Sequence, residues 1–318
     1  MDAVKFLAIF VIALTHFIDM FDPRYFSLWE EMPTSFLLNG VSGKLGVAVL
    51  GVLMCYFATN SKEENPIRYF FRRYAYFFVA GLLINIAYLL TGLSEVPFNL
   101  QYLLAVSFSL GDQIFPTFWC MRAFLAASCI SYINGRFGAG VKTVLLELVI
   151  LYFVAYDWTA VCLLGSLVAL LLKNEKVKAL FGKVYVKMII CILIFLMVKR
   201  PESRMTYYVD GIASMLFLTV GECSATLRKI LGKCGPLSYL GKCTMPLFLL
   251  HPLVFSLVGT ALFSTKYFYP GLWISFLLVF VICWGILIPS AILLQKALDL
   301  YNKQIARLTA GYTEERKE

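Results

Sequence analysis

Long apolar segments alternate with short charged ones along this chain. Ten hydrophobic segments stand out, at roughly 2–20, 44–60, 70–90, 114–134, 141–156, 158–172, 184–198, 206–221, 240–263 and 271–295. The stretches Ile189–Val198 and Pro270–Leu294 carry no charge, whereas Lys173–Lys187 carries six charged residues. This segregation predicts an all-α polytopic membrane protein with about ten transmembrane helices.

Not every segment of this pattern fits a full transmembrane span. Several segments are short for a span of about 20 residues, which favours tilted or partial spans. Residues 91–113 are moderately apolar and suit a re-entrant or interfacial piece. The first segment carries His16 and Asp19 and lacks a cleavage pattern, so we expect a retained helix and not a secretory signal. We predict a membrane domain over 1–296 and a charged cytoplasmic tail over 297–318.

Composition narrows the class of protein. Hydrophobic residues make up 60% of the 318 residues and charged residues 15%, against about 45–50% and 25% in soluble proteins. The net charge of +9 could suit nucleic acid, but in a membrane protein such an excess normally faces anionic lipid. We therefore expect contact with membrane lipid and no nucleic acid. The nine cysteines include no C-x-x-C pair, so neither a disulfide framework nor a metal site is expected.

The distribution of basic residues predicts the orientation. Loops at 60–73, 135–142, 172–187 and 222–242 together hold 15 Lys and Arg, against 6 in the loops between them. Because basic loops face the cytoplasm, both termini should be cytoplasmic. Lys199, Arg200 and Arg204 then fall outside, which indicates either a miscounted helix or a surface that faces something acidic.

The first segment carries ionisable residues that hydrocarbon disfavours. Lys5 and His16 are eleven residues apart, a rise of about 16.5 Å with a rotation of only roughly 20° beyond three turns. Asp19 follows His16 by three residues, where a carboxylate can hold an imidazole N–H. Two interpretations stay open: a catalytic arrangement, or a Lys5 that reaches the interface and a His16 that only packs.

Five short segments occur in a defined order: the Lys5–His16 pair within its apolar helix, then 43–47, 68–73, 117–119 and 246–252. Their sequences are GKLGV, RYFFRR, TFW and PLFLLHP for the last four. Together with the basic-x10-His pattern of the first helix, they resemble the acyltransferase 3 family of membrane-bound O-acyltransferases. This chain has Lys5 where the family usually has arginine.

The resemblance implies a fold and an activity. It implies a multi-pass protein of the bacterial inner (plasma) membrane that moves an acyl group, most often acetyl. The donor is then cytoplasmic acetyl-coenzyme A or another acyl-coenzyme A. The acceptor is a hydroxyl of a surface polysaccharide, or of a lipid-linked glycan or glycolipid.

The implied site has three parts. His16 is the expected general base and Asp19 its orienting partner, since imidazole exchanges protons near neutral pH. The phosphates of coenzyme A are expected at Lys5, Arg68, Arg72 and Arg73, although basic residues at cytoplasmic helix ends also serve as ordinary anchors.

Arg122, Trp119 and His251 are the expected substrate-binding residues. Each has a simpler explanation: Arg122 can pair with Asp210, Trp119 can anchor at the interface, and His251 can stand at a helix bend beside Pro252.

A glycan or lipid translocator without acyl transfer is the alternative function. Ten spans with basic cytoplasmic loops would also suit this function. A translocator, however, needs neither a base at His16 nor a coenzyme A site.

Overall fold

The computed structural model describes residues 2–21, 43–63, 65–91, 99–109, 120–154, 157–198, 206–268 and 273–314, and its regular elements over these ranges are helical. They are α1 (Asp2–Met20), α2 (Gly43–Thr59), α3 (Pro66–Leu90), α4 (Leu100–Ser109), α5 (Met121–Arg136), α6 (Val141–Val154), α7 (Asp157–Leu171), α8 (Glu175–Gly182), α9 (Val184–Val198), α10 (Thr206–Cys223), α11 (Ala225–Lys233), α12 (Gly235–Lys242), α13 (Thr244–Val254), a π-helical turn (Phe255–Gly259), α14 (Thr260–Phe263) and α15 (Trp273–Glu314). The predicted all-α class is confirmed.

Every predicted hydrophobic segment contains a helix, and two differences from the predicted bounds stand out. The segment expected over 240–263 is interrupted at Cys243, which separates α12 from α13. Helix α15 continues to Glu314, well past the expected end at residue 295 and across the predicted start of the tail. Its last turns contain good helix formers, and the Gln295 amide donates to Asp299 Oδ1 at 2.8 Å.

Membrane-crossing length is reached by only some of these helices. Within the described ranges, Pro66–Ala87, Thr244–Phe263 and Ile274–Gln304 are long and apolar enough to cross a membrane. The pair Glu175–Gly182 and Val184–Met197, bent by 76°, makes a fourth if it counts as one broken span. Lys44–Thr59 and Trp158–Leu171 are apolar but shorter. The ten-residue α4 is far too short to cross the membrane.

The chain divides into two compact units: Met1–Lys62 with Ala123–Thr244, and Glu63–Arg122 with Met245–Glu318. In the first unit, α2 crosses α7 at very short range. A Cβ atom at Gly165 would overlap the carbonyl oxygen of Val52. A buried hydrogen bond joins Thr59 Oγ1 and Ser166 Oγ at 3.0 Å beside this crossing. Small residues and interhelical polar contacts are the means by which helices associate in lipid.

The second unit pairs α3 with α4 and contains a distorted helix. Buried Leu103 and Val106 of α4 pack against apolar side chains of α3. The Asn85 amide donates to Ser107 Oγ at 3.1 Å within this contact. The π-helical turn Phe255–Gly259 follows Pro252, whose ring removes one backbone donor from the helix.

Candidate functional site

Lys5 and His16 lie on one unbroken helix, as the sequence predicts. The Lys5 ammonium group is 2.8 Å from the Asp2 carboxylate and 4.7 Å from the centre of the Phe57 ring. The contacts of Lys5 with Asp2 and Phe57 were not predicted. Asp2 stands three residues before Lys5, a spacing that brings side chains together on a helix. Donor phosphates would therefore have to compete with a carboxylate for Lys5.

The face of α1 between Lys5 and His16 is filled by packing. Ile9 and Ile12 lie on this face and are completely buried, while His16 is half-buried. Ile12 contacts α2 at Gly46, where a Cβ atom would lie 2.6 Å from Ile12 Cγ1. A donor arm cannot run directly over these two side chains. Asp19 belongs to α1, but its side chain lies outside the described residues.

A cavity lies beside that packed face, within the first unit. Its volume is about 200 Å³, and α1 lines it with Val4, Leu7, Ala8 and Val11. Residues of α2, α9 and α10 complete the lining: Leu45, Gly46, Val49, Ile194, Ala213, Ser214 and Phe217. Its only side-chain hydroxyl, that of Ser214, donates to the Asp210 carbonyl oxygen at 2.6 Å. The cavity is therefore apolar and extends along α1 for about 10 Å, the rise of seven residues.

Three arginines stand on the first two turns of α3. Asn65 caps this helix, because its side chain accepts from the backbone N–H of Ile67 and of Arg68 at 3.0 and 3.1 Å. Arg68 Nε and Arg72 Nη1 lie 3.8 and 3.7 Å from the same carboxylate oxygen of Glu63. The partial positive charge at the helix start adds to these guanidinium groups, which makes this end of α3 suited to anions.

Arg73 completes this basic group without a carboxylate among its described contacts. Its guanidinium carbon is 5.6 Å from the centre of the Tyr69 ring, a cation–π arrangement. The Nε–H groups of Arg68 and Arg73 are buried and donate no hydrogen bond within the described part of the chain. These donors are available to a ligand that carries several acceptor oxygens.

His251 is completely buried in α13, one turn before the π-helical turn. Its Nδ1 lies 3.2 Å from the Leu247 carbonyl oxygen. Because a carbonyl only accepts, Nδ1 carries the proton and the lone pair of the neutral ring is on Nε2. Phe248 and Phe255 flank the ring at 5.9 and 5.7 Å between centroids. This environment agrees with a residue at a helix distortion, and the predicted substrate contact stays a prediction.

The remaining predicted residues have mixed outcomes. Arg122 stands in the first turn of α5 and is exposed, and its predicted substrate contact stays a prediction. Trp119 lies outside the described residues. Asp210, the alternative partner considered for Arg122, is buried with 4% exposure. Glu147 accepts a hydrogen bond from the Asn134 amide at 2.7 Å.

The predicted site is distributed over both units. Lys5 and His16 belong to the first, whereas Arg68, Arg72, Arg73, Arg122 and His251 belong to the second. Each unit thus contributes a histidine and basic residues of its own. Over the described ranges, no three His, Cys, Asp or Glu side chains come together as a metal site.

Comparison with known proteins gives one match. The family model described as "Acyltransferase domain", of the acyltransferase 3 type, matches residues 1–294. No curated protein and no solved structure matches the chain significantly. The matched range ends inside α15, close to where its sequence turns from apolar to charged.

Proposed function

We propose a specific reaction from one premise: the chain belongs to the acyltransferase 3 family and is therefore a multi-pass membrane acyltransferase. The proposed donor is cytoplasmic acetyl-coenzyme A. The proposed acceptor is a hydroxyl group of a surface polysaccharide or of a lipid-linked glycan. We place the protein in the bacterial inner membrane with about ten spans and both termini in the cytoplasm, on the strength of its apolar segments and basic loops.

One observation carries the proposed chemistry: Lys5 and His16 share a face of the continuous helix α1. In the proposed step, His16 takes the proton of the acceptor hydroxyl while the hydroxyl oxygen attacks the thioester carbonyl carbon. The carbon–sulfur bond then breaks, and the departing thiolate receives the proton from His16. The products are an ester and free coenzyme A. Asp19 orients the imidazole and stabilises its protonated form.

The donor phosphates are proposed to bind Lys5 and the arginines of α3. All three arginines support this assignment by their position at a helix start, and Arg68 and Arg73 also by buried Nε–H donors. Lys5 contributes a point charge, and its ammonium group also forms an ion pair with the Asp2 carboxylate. Because Ile9 and Ile12 fill the direct face of α1, we route the pantetheine arm along the apolar cavity beside Val4–Val11.

Arg122, Trp119 and His251 are proposed to contact the acceptor or the acyl carbonyl. The exposure of Arg122 in the first turn of α5 supports this role. His251 can accept from a substrate hydroxyl through Nε2, because Nδ1 donates to the Leu247 carbonyl. Trp119 would stack on a sugar ring.

The test is transfer of label from acetyl-coenzyme A to candidate glycolipids in membranes that contain the protein. The parent should transfer label, and purified His16→Ala protein should bind the donor but transfer about 10²–10⁴-fold more slowly. Asp19→Asn should lose less activity than His16→Ala, because it alters the orientation of the base but does not remove the base. A His16→Ala rate within a few-fold of the parent would refute the assignment. Absence of transfer by the parent, with glycolipid moved across the membrane, would favour a translocator.

A further inference from the structure

We infer that Glu63 competes with the donor for the arginines of α3 and thereby sets the affinity for coenzyme A. This inference rests on the proposed function, since it assigns a role within the proposed donor site. The Glu63 carboxylate faces Arg68 and Arg72. Phosphate groups that bind these arginines must displace the carboxylate or accept its repulsion. Glu63 is thus an affinity-determining residue and has no part in the chemical step.

The distances show a charge contact without hydrogen bonds. The Glu63 oxygen is 3.8 Å from Arg68 Nε and 3.7 Å from Arg72 Nη1. Both separations exceed the range of about 2.7–3.2 Å for N–H···O hydrogen bonds. Glu63 therefore neutralises part of the positive charge but leaves the Nε–H of Arg68 without an acceptor among the described residues. Such a contact can be exchanged for a better acceptor.

Exposure shows that the arginines remain accessible while the carboxylate does not. The Glu63 side chain is 16% exposed, against 33% for Arg68 and 38% for Arg72. More of each arginine side chain than of the Glu63 side chain is therefore open to a ligand. The carboxylate is held close to the helix by its position, two residues before the Asn65 cap and three before Pro66.

The unused donors indicate what kind of ligand fits better than Glu63. Buried Nε–H groups of Arg68 and Arg73 donate no hydrogen bond over the described ranges. One carboxylate has two oxygens and already serves two cations, whereas a phosphate group has three and forms paired contacts with guanidinium. A ligand with several phosphates, as in coenzyme A, can satisfy both Nε–H groups and the charge.

The experiment compares Glu63→Gln with the parent protein, purified in detergent, by calorimetric titration with coenzyme A. Gln keeps the size of Glu and removes its charge. We expect the Kd for coenzyme A to fall by about three- to ten-fold, in line with the loss of partly exposed ion pairs that compete with the ligand. The KM for the acceptor should stay within two-fold of the parent, since the inferred role of Glu63 is confined to the donor site. Glu63→Asp keeps the charge and should leave Kd near the parent value.

Controls separate this effect from general loss of negative charge. Glu175 also pairs with a cation near a helix start, 3.5 Å from Lys178, so Glu175→Gln should leave the Kd unchanged. Glu63→Ala provides a second neutral variant if Glu63→Gln is not obtained folded, and it should shift Kd in the same direction. An unchanged or higher Kd in a folded neutral variant would overturn the inference, because Glu63 would then be inert or would position the arginines. Failure of the parent itself to bind coenzyme A would overturn the proposed donor site.

Discussion

Replacing Gly165 with alanine is expected to separate α2 from α7 and to destabilise the first unit. The new Cβ atom would overlap the Val52 carbonyl oxygen and lie 2.8 Å from the Tyr56 amide nitrogen. Unstrained contacts need about 3.5–4.0 Å, so the two helices must move apart by on the order of 1 Å. Both obstructing atoms belong to the backbone, and no side-chain rotation can relieve the overlap.

The size of the effect follows from two contributions. Overpacking of this kind costs about 1–3 kcal/mol. The buried Thr59–Ser166 hydrogen bond, 3.0 Å long, joins the same two helices, and its loss adds about 1 kcal/mol. A total of about 2–4 kcal/mol should lower the Tm by about 5–15 °C. Activity should also fall, because α2 carries Phe57 against Lys5 and Gly46 against Ile12.

The assay is thermal unfolding in detergent, followed by the fluorescence of the five tryptophans. Gly285→Ala is the matched control, because among the described residues no neighbouring atom lies within 4 Å of a Cβ atom at this position in α15. Alanine favours a helix over glycine by about 1 kcal/mol, so the Tm of the control should be unchanged or higher. Equal Tm values for Gly165→Ala and the parent would refute the close crossing of α2 and α7.

Three further predictions concern the donor site and the topology. The folded double variant Arg72→Ala/Arg73→Ala should bind coenzyme A at least about ten-fold more weakly by titration calorimetry, since charged hydrogen bonds contribute about 1.5–3 kcal/mol each; unchanged affinity would leave these arginines as helix anchors. Lys5→Arg should retain transfer activity, because arginine is the usual family residue, and a loss beyond ten-fold would count against a phosphate contact there. Reporter fusions at Gly311 and near Asp112 should report opposite sides of the membrane, and a common side would contradict the ten-span topology.

The helices were largely predictable because apolar runs end at residues that end helices. Asn65 and Pro66, for example, are a cap and a first-turn residue that can be recognised in the sequence, and α3 begins there. The end of α15 was not predictable in the same way. The hydrophobic pattern shows only which residues suit contact with lipid, whereas the length of a helix depends on helix propensity. The residues after Gln295 are no longer apolar, but they still favour a helix, and α15 therefore continues.

The helices that carry Lys5 and the arginines were predictable from the sequence, whereas the groups around these cations were only partly predictable. Asp2 could have been paired with Lys5 from the helical spacing alone. Glu63 could not, because it precedes the cap of α3 and the backbone outside the helix sets its direction. The burial of Ile9 and Ile12 could not be predicted either. Helical spacing shows which residues share a face of α1, but it does not show which neighbouring helix covers that face.

The π-helical turn Phe255–Gly259 changes how a change in chain length would act on this part of the protein. A π-helical turn holds one more residue than the α-helical turn it replaces, and the extra residue is absorbed within that turn. Deleting one residue there would allow a regular helical turn between His251 and Phe263, and Thr260–Phe263 would keep their orientation relative to the face that carries His251. Deleting one residue from a regular α-helical turn would instead rotate all that follows by about 100°. The π-helical turn is therefore a position at which this helix can lose a residue without exchanging the side chains that it presents to its neighbours.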